Sequence, residues 1–100
     1  MYERKILLAF IRIHILYHAA TEPGIYGVGM MQELQRHGYT ISPGTLYPIL
    51  HDMTNHKLLS VKNKTVNGKV RKLYTITKDG IELLAQLRRY VIELSQEVIG

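Results

Sequence analysis

Between Lys57 and Lys78 the chain carries seven Lys or Arg (57, 62, 64, 69, 71, 72 and 78) and no Asp or Glu. The formal net charge is +5, so the remaining six basic and eight acidic residues sum to −2. All the excess positive charge therefore sits on one segment. A solvated basic face is the ordinary reading of such a cluster. On an otherwise near-neutral body it is also the electrostatic footprint of a nucleic-acid binder. A second stretch, Ser42-Pro43-Gly44-Thr45-Leu46-Tyr47-Pro48-Ile49-Leu50, has the makings of a helix that presents its N-terminus. Ser42 is expected to cap it by accepting a backbone N–H of the first turn. Pro43 suits the first helical position, where its missing N–H costs nothing. The free N–H groups and partial positive charge of such an end attract phosphate. Leu46, Ile49, Leu50 and Met53 follow at helical spacing and face a core, an arrangement that an ordinary bundle helix shares. Pro48 is expected to kink or loosen the first turn, because it removes a hydrogen bond and presses on the Gly44 carbonyl.

Other chemistry is thin. His14 and His18 stand at i, i+4, a spacing that can ligate a metal, but no further convergent set is visible and packing or surface roles fit them better. No metal and no cofactor is expected. There is no Cys, hence no disulfide or thiolate chemistry, in keeping with a reducing cytoplasm. No nucleophile–base pair, paired carboxylates or phosphate loop is present, and the adjacent His51 and Asp52 point apart on a helix. An enzyme is not expected. The apolar run from Ile6 to Ile11 is too short to span a bilayer and no signal-peptide pattern follows, so no membrane role is expected.

The elements that position these residues can be read in order. One hundred residues make one domain, with roughly two-thirds of its surface buried. Residues 4–19 form a helix that is apolar nearly all round, which a chain this small cannot bury alone. A second helix opens at Tyr26-Gly27-Val28-Gly29 and ends at Gly38. The link Tyr39-Thr40-Ile41 leads to the Ser42 helix, about 43–56, giving a helix-turn-helix layout. Strands starting at Leu58 and running from Val70 to Ile76 flank a turn at Thr65-Val66-Asn67-Gly68, where Asn-Gly is the strongest short hairpin signal. The hairpin leans on the helices through Leu59, Val61, Leu73, Tyr74 or Ile76. Thr77 caps a final helix in which Leu84, Leu87, Val91, Leu94 and Val98 form an a/d seam of about two heptads. A second stripe runs through Ile81, Ala85 and Ile92. One stripe serves the domain's own core and leaves the other for a second subunit.

These pieces describe an α+β, mostly α, winged helix-turn-helix: three N-terminal helices, a two-stranded β-hairpin wing and a long C-terminal dimerisation helix. Residues 1–76 are the DNA-binding domain, and residues 77–100 are the dimerisation helix, packed with helix 4–19 in the same unit. The Ser42 helix is placed to enter the major groove. Ser42, Gly44, Thr45 and Tyr47 are its candidate contacts, with Tyr39 and Thr40 nearby. Lys62, Lys64, Lys69, Arg71 and Lys72 of the wing lie along the backbone or the adjacent minor groove. Leu7, Phe10, Ile11, Leu84, Leu87, Val91, Leu94 and Val98 form the expected dimer interface.

The sequence resembles the PadR-like transcriptional regulators. The resemblance rests on Tyr26-Gly27, the block Gly44 to Leu50, Leu58-Leu59, and the block Gly68-Lys69-Val70-Arg71-Lys72-Leu73-Tyr74-Thr75-Ile76-Thr77-Lys78-Asp79-Gly80. It covers about residues 5–95. It implies a homodimeric winged-helix protein that binds double-stranded DNA, usually as a repressor, with the first and last helices forming the dimer; a cytoplasmic location is expected from the lack of Cys. An inverted-repeat operator follows from the two-fold symmetry. Departures exist: Lys57 stands where the family usually has Gly, Gly29 where it usually has Glu, and one helix stands where long members carry more. Some members bind aromatic or phenolic small molecules near the dimer interface, where Phe10, Tyr17 and Met30 are the candidates; core packing is the stronger reading of all three, and no ligand is assigned. The competing function is a winged helix used for protein contacts, its basic hairpin meeting an acidic partner.

Overall fold

The computed structural model describes residues 2–100. The order is α1 (Tyr2–Ala19), β1 (Ile25–Tyr26), α2 (Gly27–Arg36), α3 (Pro43–Asn55), β2 (Leu59–Val66), β3 (Lys69–Ile76) and α4 (Lys78–Val98). The three strands form one antiparallel sheet in the order β1-β3-β2. The expected helices and hairpin are all present. β1 is not among the expectations: two residues are too few to show an alternating pattern, and it forms because Ile25 and Tyr26 pair with Tyr74 and Leu73 of β3.

The helical periodicity puts Ile15 and Leu16 of α1, Met30 and Leu34 of α2, and Leu46 and Leu50 of α3 at the centre of the core, joined by Leu59 and Tyr74 of the sheet. The hairpin turn is tighter than the sequence suggests. Asn67 and Gly68 have φ values of 53° and 77°, both left-handed, so a two-residue turn joins strands that run on to Val66 and Lys69.

Helices α2 and α3 end alike. The N–H of Gly38 reaches the Gln35 carbonyl at 3.0 Å and that of Tyr39 reaches Leu34 at 3.0 Å. Likewise Lys57 reaches Thr54 at 2.9 Å and Leu58 reaches Met53 at 3.0 Å. Both are Schellman motifs, which need one left-handed residue. Gly38 supplies it at φ 90° without strain; Lys57 supplies it at φ 63° with a Cβ in the way. The departure from the family glycine therefore leaves the turn intact and strains one residue.

The helix starts differ. Thr77 caps α4 as expected, accepting the Gly80 N–H at 3.0 Å. Ser42 makes no side-chain cap bond. Its Oγ lies 3.3 Å from Thr45 Oγ1 instead, while its carbonyl accepts the N–H groups of Thr45 and Leu46, each at 3.0 Å. Nor does Pro48 interrupt α3, which runs unbroken from Pro43 to Asn55. Gly44 and Pro48 are both exposed, so water can serve the carbonyl that the missing N–H leaves free.

The end of α3, the base of the wing and the start of α4 are locked together. Thr77 donates its hydroxyl to the Lys57 carbonyl at 2.6 Å and its N–H to the Leu58 carbonyl at 3.1 Å. Gly80 lies so close to the Leu58 carbonyl and to Ile76 Cγ1 that a Cβ has no room.

Ile11 and Leu84, expected at a dimer seam, are 3% and 5% exposed and belong to the protomer's own core. Leu87 packs partly against it. The a/d spacing is real, but the first half of α4 uses it to dock on the protomer. Leu7 and Phe10 on α1, and Val91, Leu94 and Val98 on α4, remain exposed.

Two stability outcomes are expected in urea unfolding. Lys57→Gly relieves the left-handed strain and stabilises by about 0.5–1 kcal/mol. Gly80→Ala overpacks the junction against a backbone carbonyl and destabilises by about 2 kcal/mol.

Candidate nucleic-acid interface

The N-terminal turn of α3 lies on the surface, with Ser42, Pro43 and Gly44 exposed and Thr45 half-buried. No side chain crowds Gly44; only Ser42 Oγ comes within 4 Å of the position its Cβ would take. Arg4 of α1 donates to Thr45 Oγ1 at 3.0 Å. It thereby adds a full positive charge to a helix end that already attracts anions. No local sequence pattern marks Arg4, because its partner is 41 residues away.

Tyr47, 40% exposed, lies over Gly27: a Cβ on Gly27 would come within 2.7 Å of the Tyr47 ring and hydroxyl. The Tyr26-Gly27 pair and the Gly44–Leu50 block, far apart in sequence, are thus two sides of one contact. A groove of about 180 Å³ between α3 and the wing is lined by Tyr26, Gly27, Val28, Tyr47, Val70, Arg71 and Lys72. It brings Tyr47 of α3 to the basic hairpin.

The wing's register sorts its cations. Lys64 stands opposite Arg71, Val66 opposite Lys69 and Lys62 opposite Leu73, so Lys62, Lys64, Lys69 and Arg71 share one face. Lys72 pairs with Asn63 and projects from the other face. The five wing cations therefore do not act as one row. Like charges directly opposite one another are destabilising. Among the described residues the ion pairs involve Glu33 and Asp52 and none of the wing cations. The Lys64–Arg71 pair is left for an anion from outside.

Thr40 is exposed beside this surface. Tyr39 is half-buried: its ring packs edge-on against His14, 5.2 Å between centroids, and partly against the core. Tyr39 also lines a pocket with Arg4 and Thr40, and Arg4 is the residue that reaches Thr45.

A cavity of about 610 Å³ lies between α1, the end of α2 and α4. Phe10 and Tyr17 line it, whereas Met30 is fully buried in the core and does not. His14, His18 and His37 line the same cavity. Burial, and then the neighbouring imidazoles of His37 and His18, lower the pKa of His14. Burial also lowers that of His18, against an opposing pull from Glu33.

Comparison with known proteins gives a consistent picture. A family model described as the transcriptional regulator PadR-like family matches residues 15–86. The chain is 43% identical over 97 residues to the transcriptional regulator Rv3488 of Mycobacterium tuberculosis, covering 97% of this chain and 90% of that protein. Among solved structures, a PadR-like transcriptional regulator (BC4206) from Bacillus cereus superposes with a TM-score of 0.85 at 31% identity, over 94% of this chain and 92% of that one. A PadR-like transcription factor from Bacteroides fragilis does so with a TM-score of 0.80 at 28% identity, over 97% and 94%. The chain belongs to the PadR-like family of transcriptional regulators, which are DNA-binding proteins and not enzymes.

Proposed function

We propose that the protein is a homodimeric, sequence-specific repressor that binds an inverted-repeat operator in the cytoplasm. The observation that carries the reading is the basic wing, its cations unpaired by any carboxylate among the described residues, whose Arg71 and Lys72 line a groove with Tyr47 of the α3 helix, the N-terminal turn of which is exposed. In this reading α3 enters the major groove. Ser42, Thr45 and Tyr47 reach base edges or phosphates, Gly44 lets the backbone approach closely, and Thr40 and Arg4 flank them. The wing cations neutralise phosphates, which position the protein without reading sequence. Lys72, on the opposite face, meets a phosphate only from the groove it shares with Tyr47.

Dimerisation is supported by surplus apolar surface. Phe10, Val91, Leu94 and Val98 are 41%, 46%, 46% and 72% exposed, and Leu7, Ile6 and Ile92 extend the patch. Contiguous apolar surface of this kind marks an interaction site. A two-fold pairing of the α1–α4 faces makes residues 77–100 the dimerisation helix and sets two α3 helices toward half-sites about one DNA turn apart, roughly 34–36 Å. Such a dimer represses by occupying its operator.

Fluorescence anisotropy against the protein's own upstream DNA and a shuffled control, at several salt concentrations, tests the reading. Tight, steeply salt-dependent binding to the upstream DNA alone is the expected result. Equal weak binding to both sequences overturns specificity. Lys64→Ala and Arg71→Ala should each weaken binding to every sequence alike and flatten the log–log salt slope by about 1. Thr45→Ala should instead change the preference between sequences.

The dimer has its own measurement. Val91→Asp with Leu94→Asp places two charges on the exposed seam and spares Leu84 and Leu87 in the core. Light scattering after size exclusion should then show a folded monomer, with operator affinity lowered by at least about tenfold. A variant that stays dimeric places the interface elsewhere.

A further inference from the structure

We propose that His14, His18 and His37 bind one divalent first-row transition ion of the Zn²⁺ type, with the Glu33 carboxylate beside them. His14 and His18 fall on one face of α1 because they are four residues apart. His37, the C-cap of α2, arrives from a different element. One ring nitrogen from each of the three lies within 4.8 Å of the other two. A tetrahedral ion bonded at about 2.0–2.1 Å holds its nitrogens about 3.3 Å apart, so the rings stand at most about 1.5 Å wider than a bound ion requires. Side-chain rotation closes that gap, since His37 is half exposed and sits at a helix end.

The hydrogen-bond inventory points the same way. His18 Nε2 is buried and has no hydrogen-bond partner. The Glu33 carboxylate oxygen Oε2 is 3.7 Å from it and 4.0 Å from His37 Nε2, too far for a hydrogen bond to either. The other oxygen, Oε1, is held by Arg36 at 2.9 Å. Three imidazoles therefore converge, with one nitrogen unpartnered and a free carboxylate oxygen of Glu33 at 3.7 and 4.0 Å from two of them. Packing alone explains the near-parallel stacking of His14 on His37, 4.7 Å between centroids, but leaves the His18 nitrogen unpaired.

The charges facing the cluster from each element are Glu33 and Arg36 on α2 and Arg88 on α4, with Tyr17 and Tyr39 as neutral walls. Arg88 opposes a cation and Glu33 offsets it. An all-imidazole set with no thiolate in the chain suits Zn²⁺, Ni²⁺ or Co²⁺ and does not suit Ca²⁺ or Mg²⁺. The position has a structural consequence. A bound ion ties α1 to the residue before Gly38, and so to the turn that leads into α3.

The untagged full chain, stripped with chelator, should bind one Zn²⁺ per protomer in a calorimetric titration. Co²⁺ should give the visible absorption of a nitrogen-coordinated ion, and Zn²⁺ should displace it. His37→Ala, at an exposed position that keeps the fold by circular dichroism, should weaken Zn²⁺ by at least about 100-fold, and His18→Ala should do the same. Glu33→Gln should weaken it about tenfold. Zn²⁺ should raise the thermal midpoint of the parent chain and leave that of His37→Ala unmoved. His51→Ala on α3 and His56→Ala at its C-cap, both exposed, should bind as the parent does. Absence of Zn²⁺ binding in the parent chain, or unchanged binding in His37→Ala, overturns the proposal. DNA binding plays no part in these measurements, so their failure leaves the regulator reading standing.

Discussion

The junction at Lys57, Leu58, Thr77 and Gly80 is the constraint from which the interface geometry follows. One threonine side chain and one backbone N–H hold the last two residues of the α3 turn, and the same side chain caps α4. The strand that starts at Leu59 and the strand that ends at Ile76 leave from this point, directly paired. α3, the hairpin and α4 are therefore fixed to one another through a few backbone carbonyls. Gly80 is needed there because backbone, which cannot yield, occupies the space a side chain would take. The strain at Lys57 is tolerated because four hydrogen bonds and the packing of Leu58 determine that turn.

From this frame the wing projects with its charges unopposed. Lys64 and Arg71 repel each other across the ladder, and the fold supplies no carboxylate to relieve them. Such an arrangement costs a little stability in the free protein, a cost that a bound polyanion would offset. Arg4 extends the same field to the α3 end through Thr45. The Gly27–Tyr47 contact keeps the tyrosine at the mouth of the groove beside Arg71 and Lys72. The core, with no buried charged residue among those described, carries stability.

The opposite side of α1 has different physics. Its apolar residues exceed what the protomer can cover, so Phe10 and Tyr17 stand at a cavity shared with the exposed half of α4. α4 has 21 residues and is about 31 Å long, so its second half extends beyond the body it docks on. Histidines gather where α1 meets the end of α2, and the turn at Gly38 links that cluster to the start of α3.

Local chemistry in the sequence determined the helices, the Asn67-Gly68 turn, the Thr77 cap and the acid-free charge of the hairpin, because each depends on residues within a few positions of one another. The winged-helix architecture followed from their order, and the blocks around Gly44–Leu50 and Gly68–Gly80 carried the family. Tertiary structure alone decided what depends on distant partners. Ser42 turns its hydroxyl to Thr45 Oγ1, which also accepts from the distant Arg4, in place of the expected cap. Tyr39 turns to His14, β1 exists only against β3, and Ile11 and Leu84 are consumed by the protomer's own core. Register, which no single strand reveals, divided the wing cations between two faces. The third histidine joined the other two for the same reason: periodicity can align His14 with His18, but only the packing of α2 on α1 brings His37 within reach.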